Sequence, residues 1–304
     1  MAKTSKSPKR ILQVAHALGK QRLRTYSHKF SPKKFTLPQL FACLVLKEFM
    51  RLDYRKLSTL LKDAPSLAGV IELEKIPHFS TFQKAAARLL VSRRAQRLLD
   101  ETIQAATDHR VMRKNVALAA IDGTGFESRH ISAYFVRRRN RTCKEGYQTT
   151  TYTRFPSANL LCDCDSHLVL AMVTGRGPDP DDPYFQPTLK QAASRANIET
   201  LLADAGYDSE AAHVFAREQY GTRTIIPATR GRPTKKRLRG YWRNRMKTRF
   251  NKIKYGQRWQ VETVNSMIKR SMGSALRARN YWSQSREIAL KVLTHNVMIL
   301  RGCF

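Results

Sequence analysis

The sequence KYGQRWQVETVNSMIKRS, residues 254–271, holds one acidic side chain within a strongly basic part of the chain. That side chain is Glu262, and residues 219–261 before it contain no Asp or Glu. At about 100° per residue, a helix through this stretch brings four polar side chains into an arc of roughly 60°. They are Tyr255, Arg258, Glu262 and Lys269. The stretch therefore predicts a helix that presents a carboxylate among cations.

The opposite side of this predicted helix is apolar. It carries Val261, Val264, Met267 and Ile268. An ordinary amphipathic helix with a solvated polar face would show the same spacing. A solvated face usually mixes both signs of charge, however, and here no other acid lies nearby. This favours a specific role for Glu262.

The overall charge predicts a polyanionic partner. The 304 residues include 56 Lys and Arg against 23 Asp and Glu, for a formal net charge of +33. Repulsion among so many positive charges destabilises the compact state unless a partner of opposite charge screens them. Phosphate neutralisation by Lys and Arg makes nucleic acid the expected partner, ahead of a merely basic surface or a membrane surface. Hydrophobic residues make up 42% of the chain, enough for a sizeable core.

The cysteines and the apolar runs indicate an intracellular protein. Five scattered cysteines do not form a disulfide framework, and the pair Cys162 and Cys164 has no second pair or nearby His cluster to complete a zinc site. The basic N-terminus is not followed by the apolar segment of a secretory signal. The longest apolar run, residues 40–46, is far shorter than a bilayer span. We expect reduced cysteines and no membrane partner.

The N-terminal third predicts a basic arm followed by helices. Residues 1–34 are rich in Lys and Arg and contain no acid, which is typical of a loosely ordered arm. Residues 35–112 have helical periodicity, with Pro38 at a helix start and Ser80 and Gln83 in a capping-box pattern. Short helices in a basic chain suit either a helix-turn-helix element or a plain helical bundle.

Residues 113–304 have the alternation of an α/β domain. The apolar segments and helical periods run strand, strand, strand, helix, strand, helix, strand, and then a last helix ends the chain. A basic segment at about residues 230–254 interrupts the pattern. The order predicts a partly parallel sheet covered by helices on both faces.

Two aspartates end predicted strands of this domain. Asp122 follows VALAAI and Asp204 follows TLLA, each beside a glycine-containing turn. Ligand sites form where strands end in open α/β sheets, although Asp after a strand is also common as turn chemistry. Together with Glu262, the two aspartates suit a pair of divalent metals about 3.5–4 Å apart. Oxygen ligands favour two Mg²⁺ ions, with Mn²⁺ as a substitute.

Other acidic residues have simpler interpretations. Asp179, Asp181 and Asp182 lie in a proline-rich loop, where turn chemistry explains them. Asp163 and Asp165 fall at a hairpin turn. Asp208 is placed to cap the helix that follows Asp204. None of these six is expected at the metal site.

With these residues in hand, the sequence resembles the DDE transposases of bacterial insertion sequences. It is similar to the RNase H-like group with the signature Y-x2-R-x3-E-x6-K, which is present as Tyr255, Arg258, Glu262 and Lys269. The first acid of the group matches Asp122 in AIDGTGF, and the second matches Asp204 in LADAGYDS. The resemblance extends over most of the chain, from about residue 37 to residue 299.

The resemblance implies a fold and a reaction. The fold is an RNase H-like mixed five-stranded sheet flanked by helices, preceded by an all-helical DNA-binding or dimerisation region. Asp122, Asp204 and Glu262 are the implied catalytic and metal-binding residues. The implied reaction is metal-dependent cleavage at the inverted repeats of the element, followed by transfer of the freed 3′-hydroxyl into target DNA.

The implied partner is double-stranded DNA, both element ends and target, held by a homodimer in a synaptic complex near the bacterial nucleoid. Expected DNA contacts are Tyr255, Arg258, Lys269, Trp259, Arg237, Arg239, Arg243 and Lys254. Trp259 suits either stacking on an unpaired base or packing in the core. Two rival functions remain open, namely a DNA-binding regulator that has lost catalysis and a structure-selective nuclease.

Overall fold

A computed structural model describes residues 4–30, 32–128, 155–228 and 238–303. The helices before the sheet are α1 Pro8–Arg22, α2 Leu37–Phe49, α3 Tyr54–Asp63, α4 Pro65–Gly69, α5 Phe79–Leu89 and α6 Ser92–Asp108. The sheet strands are β1 Ala119–Gly125, β2 Phe155–Asp163, β3 Val169–Gly177, β4 Thr200–Leu202 and β5 Arg223–Ile225. The remaining helices are α7 Asp182–Ala193, α8 Glu210–Tyr220, α9 Tyr241–Thr248, α10 Lys252–Tyr255, α11 Trp259–Met272 and α12 Tyr281–Ile299.

The first helix corrects the expectation of a loosely ordered basic arm. Pro8–Arg22 is helical, with Ser7 as N-cap and its side chain accepting from the Arg10 backbone N–H. Ile11, Leu12 and Val14 are fully buried on its inner side. The cations dominate the composition of this segment, but they lie between apolar residues at helical spacing, so the helix can bury one face.

The N-terminus of α2 has a side-chain cap, whereas that of α5 does not. Thr36 caps α2 in a reciprocal capping box with Gln39, and Pro38 lies in the first turn as expected. The capping box predicted at Ser80 is wrong, because α5 begins earlier and its N-cap is His78, which makes no side-chain cap bond. The Ser80 hydroxyl instead lies 2.8 Å from His78 Nδ1.

The sheet confirms the expected mixed five-stranded architecture. Its order is β3-β2-β1-β4-β5, so the first strand of the domain is the central one. β2 is antiparallel to both β1 and β3, whereas β4 is parallel to β1 and β5 is parallel to β4. Two further pairs of two-residue strands lie outside this sheet, Asn115–Val116 with Asn197–Ile198 and Glu127–Ser128 with Ala275–Leu276.

The last helix joins the helical region to the sheet. α12 is buried along most of its length, and the buried apolar residues from Ile11 to Cys303 form one cluster. Asn296 in α12 accepts from Val169 N at 3.0 Å and donates to Val169 O at 3.0 Å, which satisfies the backbone at the start of edge strand β3. The same amide donates to Thr102 Oγ1 of α6 at 3.0 Å.

A buried ion-pair cluster connects α2 to α12. Glu48 accepts from Lys291 at 2.8 Å and from Lys47 at 3.1 Å, and all three side chains are almost fully buried. Burial alone would raise the pKa of Glu48, but the two lysines outweigh it and hold that pKa below its usual range. The Glu48 carboxylate is therefore the shared ion-pair partner of the buried Lys47 and Lys291 ammonium groups.

The described cysteines Cys43, Cys162, Cys164 and Cys303 are all free and buried. Among the described helices, none has the length and apolar character needed to cross a membrane.

Replacing Glu48 with Gln should destabilise the protein by about 3–5 kcal/mol, because it leaves two buried ammonium groups without a counter-charge. Urea unfolding of the full chain measures the loss. The control is Glu72→Gln, which removes an exposed pair with Lys20 and should cost less than about 1 kcal/mol. Equal effects of the two changes would contradict a structural role for the buried cluster.

Candidate active site

The site begins at the central strand, where its neighbour β4 ends. β1 pairs with β4 only at Ala119 and Ala120, so Asp122 lies beyond the last residue of β4, Leu202. Asp204 follows Leu202 by two residues and accepts from the Gly206 N–H at 2.8 Å. The sequence predicted that the strand of Asp122 ends at that residue. This is wrong, because pairing with β2 continues the strand to Gly125. The two aspartates still come to the same edge.

The helix of Glu262 is nearly the predicted one. One turn of 3₁₀ helix, Gly256–Arg258, separates α10 from α11, so a single uninterrupted α-helix was a wrong expectation. The backbone remains right-handed helical through this turn. Val261, Val264 and Ile268 are buried as expected. α11 therefore packs its apolar side on the sheet and turns its polar side to Asp122.

Arg258 lies between two of the carboxylates. Its guanidinium donates to Glu262 Oε1, four residues later on the helix. Another nitrogen of the same group, Nη1, lies 3.8 Å from Asp122 Oδ1. The Arg258 side chain is largely buried, whereas that of Glu262 is 53% exposed. Arg258 thus supplies the positive charge that holds Glu262 toward Asp122.

The charge around Asp122 is only partly offset. Burial raises the pKa of Asp122 to about 7, Arg258 opposes this shift, and the charges of Asp204, Glu262 and Asp181 add to it. Asn265 of α11 donates to Asp122 Oδ2 at 3.1 Å. The carbonyl oxygen of that amide is buried and has no hydrogen-bond partner among the described residues. The site thus combines excess negative charge with one unsatisfied buried acceptor.

The two remaining signature residues flank this cluster. Lys269 is half-buried over the Phe126 ring, and burial lowers its pKa while the charges of Asp122 and Glu127 oppose that effect. Tyr255 packs against Phe250, and burial raises the pKa of its hydroxyl. Arg258, Glu262 and Lys269 therefore interact electrostatically with Asp122, whereas Tyr255 does so with Arg258, Asp204 and Glu262.

The chemistry of this cluster fits a hard divalent cation. Within the described ranges, no three His, Cys, Asp or Glu side chains approach closely enough to form a ready-made metal cage. The available donors are nevertheless all carboxylate oxygens, which are the ligands that hard divalent cations prefer. Asp122, Asp204 and Glu262 are the residues that would hold an ion, with Glu262 released from Arg258.

Comparison with known families identifies the domain. Residues 117–297, more than half of the chain, match the family described as transposase DDE domain. The chain belongs to the DDE transposase family. The matched range includes Asp122, Asp204 and Glu262, all three of the acids placed at the sheet edge.

Other comparisons add little to this assignment. A chain of a solved structure described as a pre-cleavage Mos1 transpososome is similar to this chain, with 11% sequence identity, and the match covers 92% of this chain and 82% of that chain. The TM-score of 0.22 is too low to support an argument about fold or function. The comparison with curated proteins gives no match.

The expected DNA contacts fall into three groups. Trp259, Arg239 and Lys254 are exposed, and the 47% exposure of Trp259 rules out the core position that its sequence also allowed. Arg237 lies outside the described residues. Arg243 is occupied, because its guanidinium donates to Asp208 at 2.9 and 2.7 Å. This pair makes Arg243 a structural residue of the transposase domain.

Of three acidic residues with simpler expected roles, only Asp208 departs from its prediction. Ser209, not Asp208, caps α8, and Asp208 is buried against Arg243. Asp163 does organise the β2–β3 turn, accepting from the Ser166 hydroxyl at 2.6 Å. Asp181 starts α7, but its carboxylate makes no cap bond and reaches the glycines beside Asp122 and Asp204. The turn interpretation of Asp181 therefore stays a prediction, and the fold places its carboxylate near Gly123 and Gly206.

Asp122→Asn should change how stability depends on pH. The raised pKa means that the folded wild type retains a proton between about pH 4 and about pH 7 that the unfolded chain loses. Wild-type stability should thus fall as pH rises through this window, by on the order of 1–4 kcal/mol relative to the Asn variant.

The measurement is urea unfolding at about pH 5 and about pH 8, with EDTA present. Asp165→Asn, at an exposed turn, is the matched control and should show no such change. A difference between wild type and Asp122→Asn that does not vary with pH would contradict the raised pKa.

Proposed function

We propose that this transposase binds the terminal inverted repeats of an insertion sequence, cleaves the DNA there, and joins the freed 3′-ends to target DNA. The observation that carries the proposal is the convergence of Asp122, Asp204 and Glu262 at one edge of the sheet, beside Arg258 and Lys269. Family membership supports the general class of reaction.

The three carboxylates would hold two Mg²⁺ ions, or Mn²⁺ in their place. When bound, such ions about 3.5–4 Å apart activate an attacking water or hydroxyl and stabilise the leaving oxygen. Hydrolysis at the element end breaks a P–O bond and leaves a 3′-hydroxyl. That hydroxyl then attacks a phosphodiester of the target, which forms one P–O bond and breaks another.

The cations around the acids would hold the DNA backbone. Arg258 is bonded to Glu262 here, and a DNA phosphate competes for the same guanidinium. Lys269 has a lowered pKa but remains a cation suited to phosphate. Further contacts are proposed for Tyr255, Trp259, Arg237, Arg239 and Lys254. Trp259 is exposed enough to stack on a base.

Two ends must be brought together for transposition, so we propose a homodimer acting in a synaptic complex. The rival functions differ in their products. A structure-selective nuclease would cut without joining, and a DNA-binding regulator would bind without cutting.

The decisive experiment uses a DNA fragment that carries the gene with its natural flanks. Purified protein with Mg²⁺ should cut in pairs at inverted repeats that flank the gene, and a supplied target should receive the ends. Asp122→Asn, Asp204→Asn and Glu262→Gln should each abolish cutting while retaining DNA binding, because each removes a metal-binding oxygen anion.

The charge-matched control is again Asp165→Asn, which should cut normally. Cutting without joining would favour the nuclease. Tight binding with no cutting by wild type would favour the regulator. Cutting by Asp122→Asn at the wild-type rate would show that the active site lies elsewhere.

DNA binding should depend steeply on salt. If six to ten phosphates are contacted, affinity should fall about a thousandfold or more between about 50 and about 200 mM salt. Lys254→Ala should reduce the slope of log K against log salt by about one. Lys190→Ala, an exposed lysine on α7, is the control. The slope is measured by fluorescence anisotropy with a labelled duplex, and equal slopes for both variants would exclude Lys254 as a phosphate contact.

A further inference from the structure

A groove between the helical region and the start of α12 concentrates positive charge outside the Tyr-Arg-Glu-Lys signature. It has a volume of about 380 Å³ and separates the exposed side of α5 from residues 277–287. Four cationic side chains line it, namely Lys47, Arg277, Arg279 and Arg286. Two carboxylates, Asp53 and Glu287, also line it. We call this surface the α5–α12 groove.

Both carboxylates of the groove bind backbone groups of its own walls. Glu287 accepts from the backbone N–H groups of Arg277 and Ala278, in each case at 3.0 Å. Asp53 is the N-cap of α3 and accepts from the Lys56 N–H at 2.8 Å. The acids therefore hold the groove in shape and form no ion pair with the arginines that line it.

Two of the arginines are free to bind a ligand. Arg279 is exposed and Arg286 is half-buried, and neither guanidinium has a hydrogen-bond or ion-pair partner among the residues that the structure describes. An arginine fork binds phosphate oxygens through two parallel N–H donors. The α5 wall adds the exposed amide of Gln83, and α5 itself contains no acid. The groove thus offers donors and positive charge to an anion.

The groove adjoins the active site through the segment that follows α11. Lys269 interacts electrostatically with both Asp122 and Glu127. The short strand Glu127–Ser128 pairs in parallel with Ala275–Leu276. Arg277, the first groove residue of this segment, comes directly after that pair. A line of cations therefore leads from the acidic edge of the sheet, past Lys269, into the groove.

Arg51 fixes this wall of the groove to the helix of Glu262. Its guanidinium donates to the backbone carbonyls of Arg270 and Ser271 at the end of α11, and its own carbonyl accepts from Arg277 at 2.7 Å. Arg51 has a φ of +53°, a left-handed conformation that is uncommon outside glycine. The turn after α2, the end of α11 and Arg277 are thus joined, so the groove has a defined position relative to the active site.

Charge, not size, distinguishes this groove from the larger cleft at the start of β1. That cleft has a volume of about 1110 Å³, and its lining contains three cations and three carboxylates. They are Arg110, Arg113 and Lys114, with Asp163, Asp165 and Glu199. The larger cleft is balanced in charge, whereas the α5–α12 groove has four cations to two acids. The groove is therefore better suited to a polyanion.

We propose that the α5–α12 groove binds the phosphate backbone of the double-stranded DNA whose cleavage site lies at the acidic edge of the sheet. Arg279 and Arg286 are the phosphate contacts, and they fix the position of the duplex between the active site and the helical region. This inference rests on the proposed function, because it takes Asp122, Asp204 and Glu262 as the site of cleavage. It assigns DNA contacts to a surface that the signature does not include.

The salt dependence of duplex binding tests the two arginines. Fluorescence anisotropy with a labelled duplex in EDTA measures binding without cleavage, and circular dichroism checks folding. Arg279→Ala and Arg286→Ala should each reduce the slope of log K against log salt by about one, and the double variant by about two. Arg113→Ala removes an exposed arginine from the balanced cleft and should keep the wild-type slope.

A pair of variants of one size tests the charge of the groove. Ser283 lines the groove and is the third residue of α12, where an acidic side chain favours the helix. Ser283→Glu should therefore fold, but should weaken duplex binding about fivefold or more relative to Ser283→Gln, the effect of one unit charge about 4 Å from a phosphate in water. Equal affinities of the two variants would show that no phosphate approaches Ser283, against the proposal.

The outcomes separate this inference from the proposed function. Wild-type slopes in both arginine variants, with normal cutting of flanked DNA by wild type, would overturn the groove and leave the proposed function standing. Reduced slopes with no cutting by wild type would support the groove and count against the proposed function. An equal reduction by Arg113→Ala would show only a general loss of positive charge and would overturn the assignment, as would a wild-type protein that does not bind the duplex.

Discussion

Repulsion among carboxylates at the end of β4 is the constraint on which the rest of this site depends. Asp122 is central to it, and burial together with neighbouring negative charges raises its pKa to about 7. Such a cluster persists in a folded chain when protonation or nearby cations reduce its negative charge. Here Arg258 supplies part of that charge. A site arranged in this way is unfavourable when empty of cations and gains stability when divalent ions or DNA-bound cations neutralise it.

The surrounding fold holds these charges in place through buried polar contacts. Asn296 joins α12 to edge strand β3 and to α6, and Glu48 joins α2 to Lys291 of the same helix. The helical region and the sheet therefore share one core. Because α11 precedes α12 and packs on β1, the position of Glu262 relative to Asp122 depends on contacts far from the acids.

Some features of the site follow from short-range sequence patterns, and others do not. The Tyr-Arg-Glu-Lys spacing lies within a single helical segment, where 3.6 residues per turn relates side chains directly, so the grouping around Glu262 was predictable. The strands of Asp122 and Asp204 were predictable from continuous apolar runs. The position of Asp181 was not, because its sequence context is a proline-rich turn and only the fold brings its loop to two distant glycines.

The sequence by itself determined the class of fold, the order of strands and helices, and the local setting of Asp122, Asp204 and Glu262, since each follows from periodicity or strand position over short distances. It did not reveal the burial of α1, where the many cations hid an apolar face. Nor did it reveal the pairing of Arg243 with Asp208, which lie 35 residues apart. Tertiary structure alone decided which cations face solvent, which are bonded to acids, and which carboxylates meet at the sheet edge. Charge pairing acts through space, and separation along the chain does not determine it.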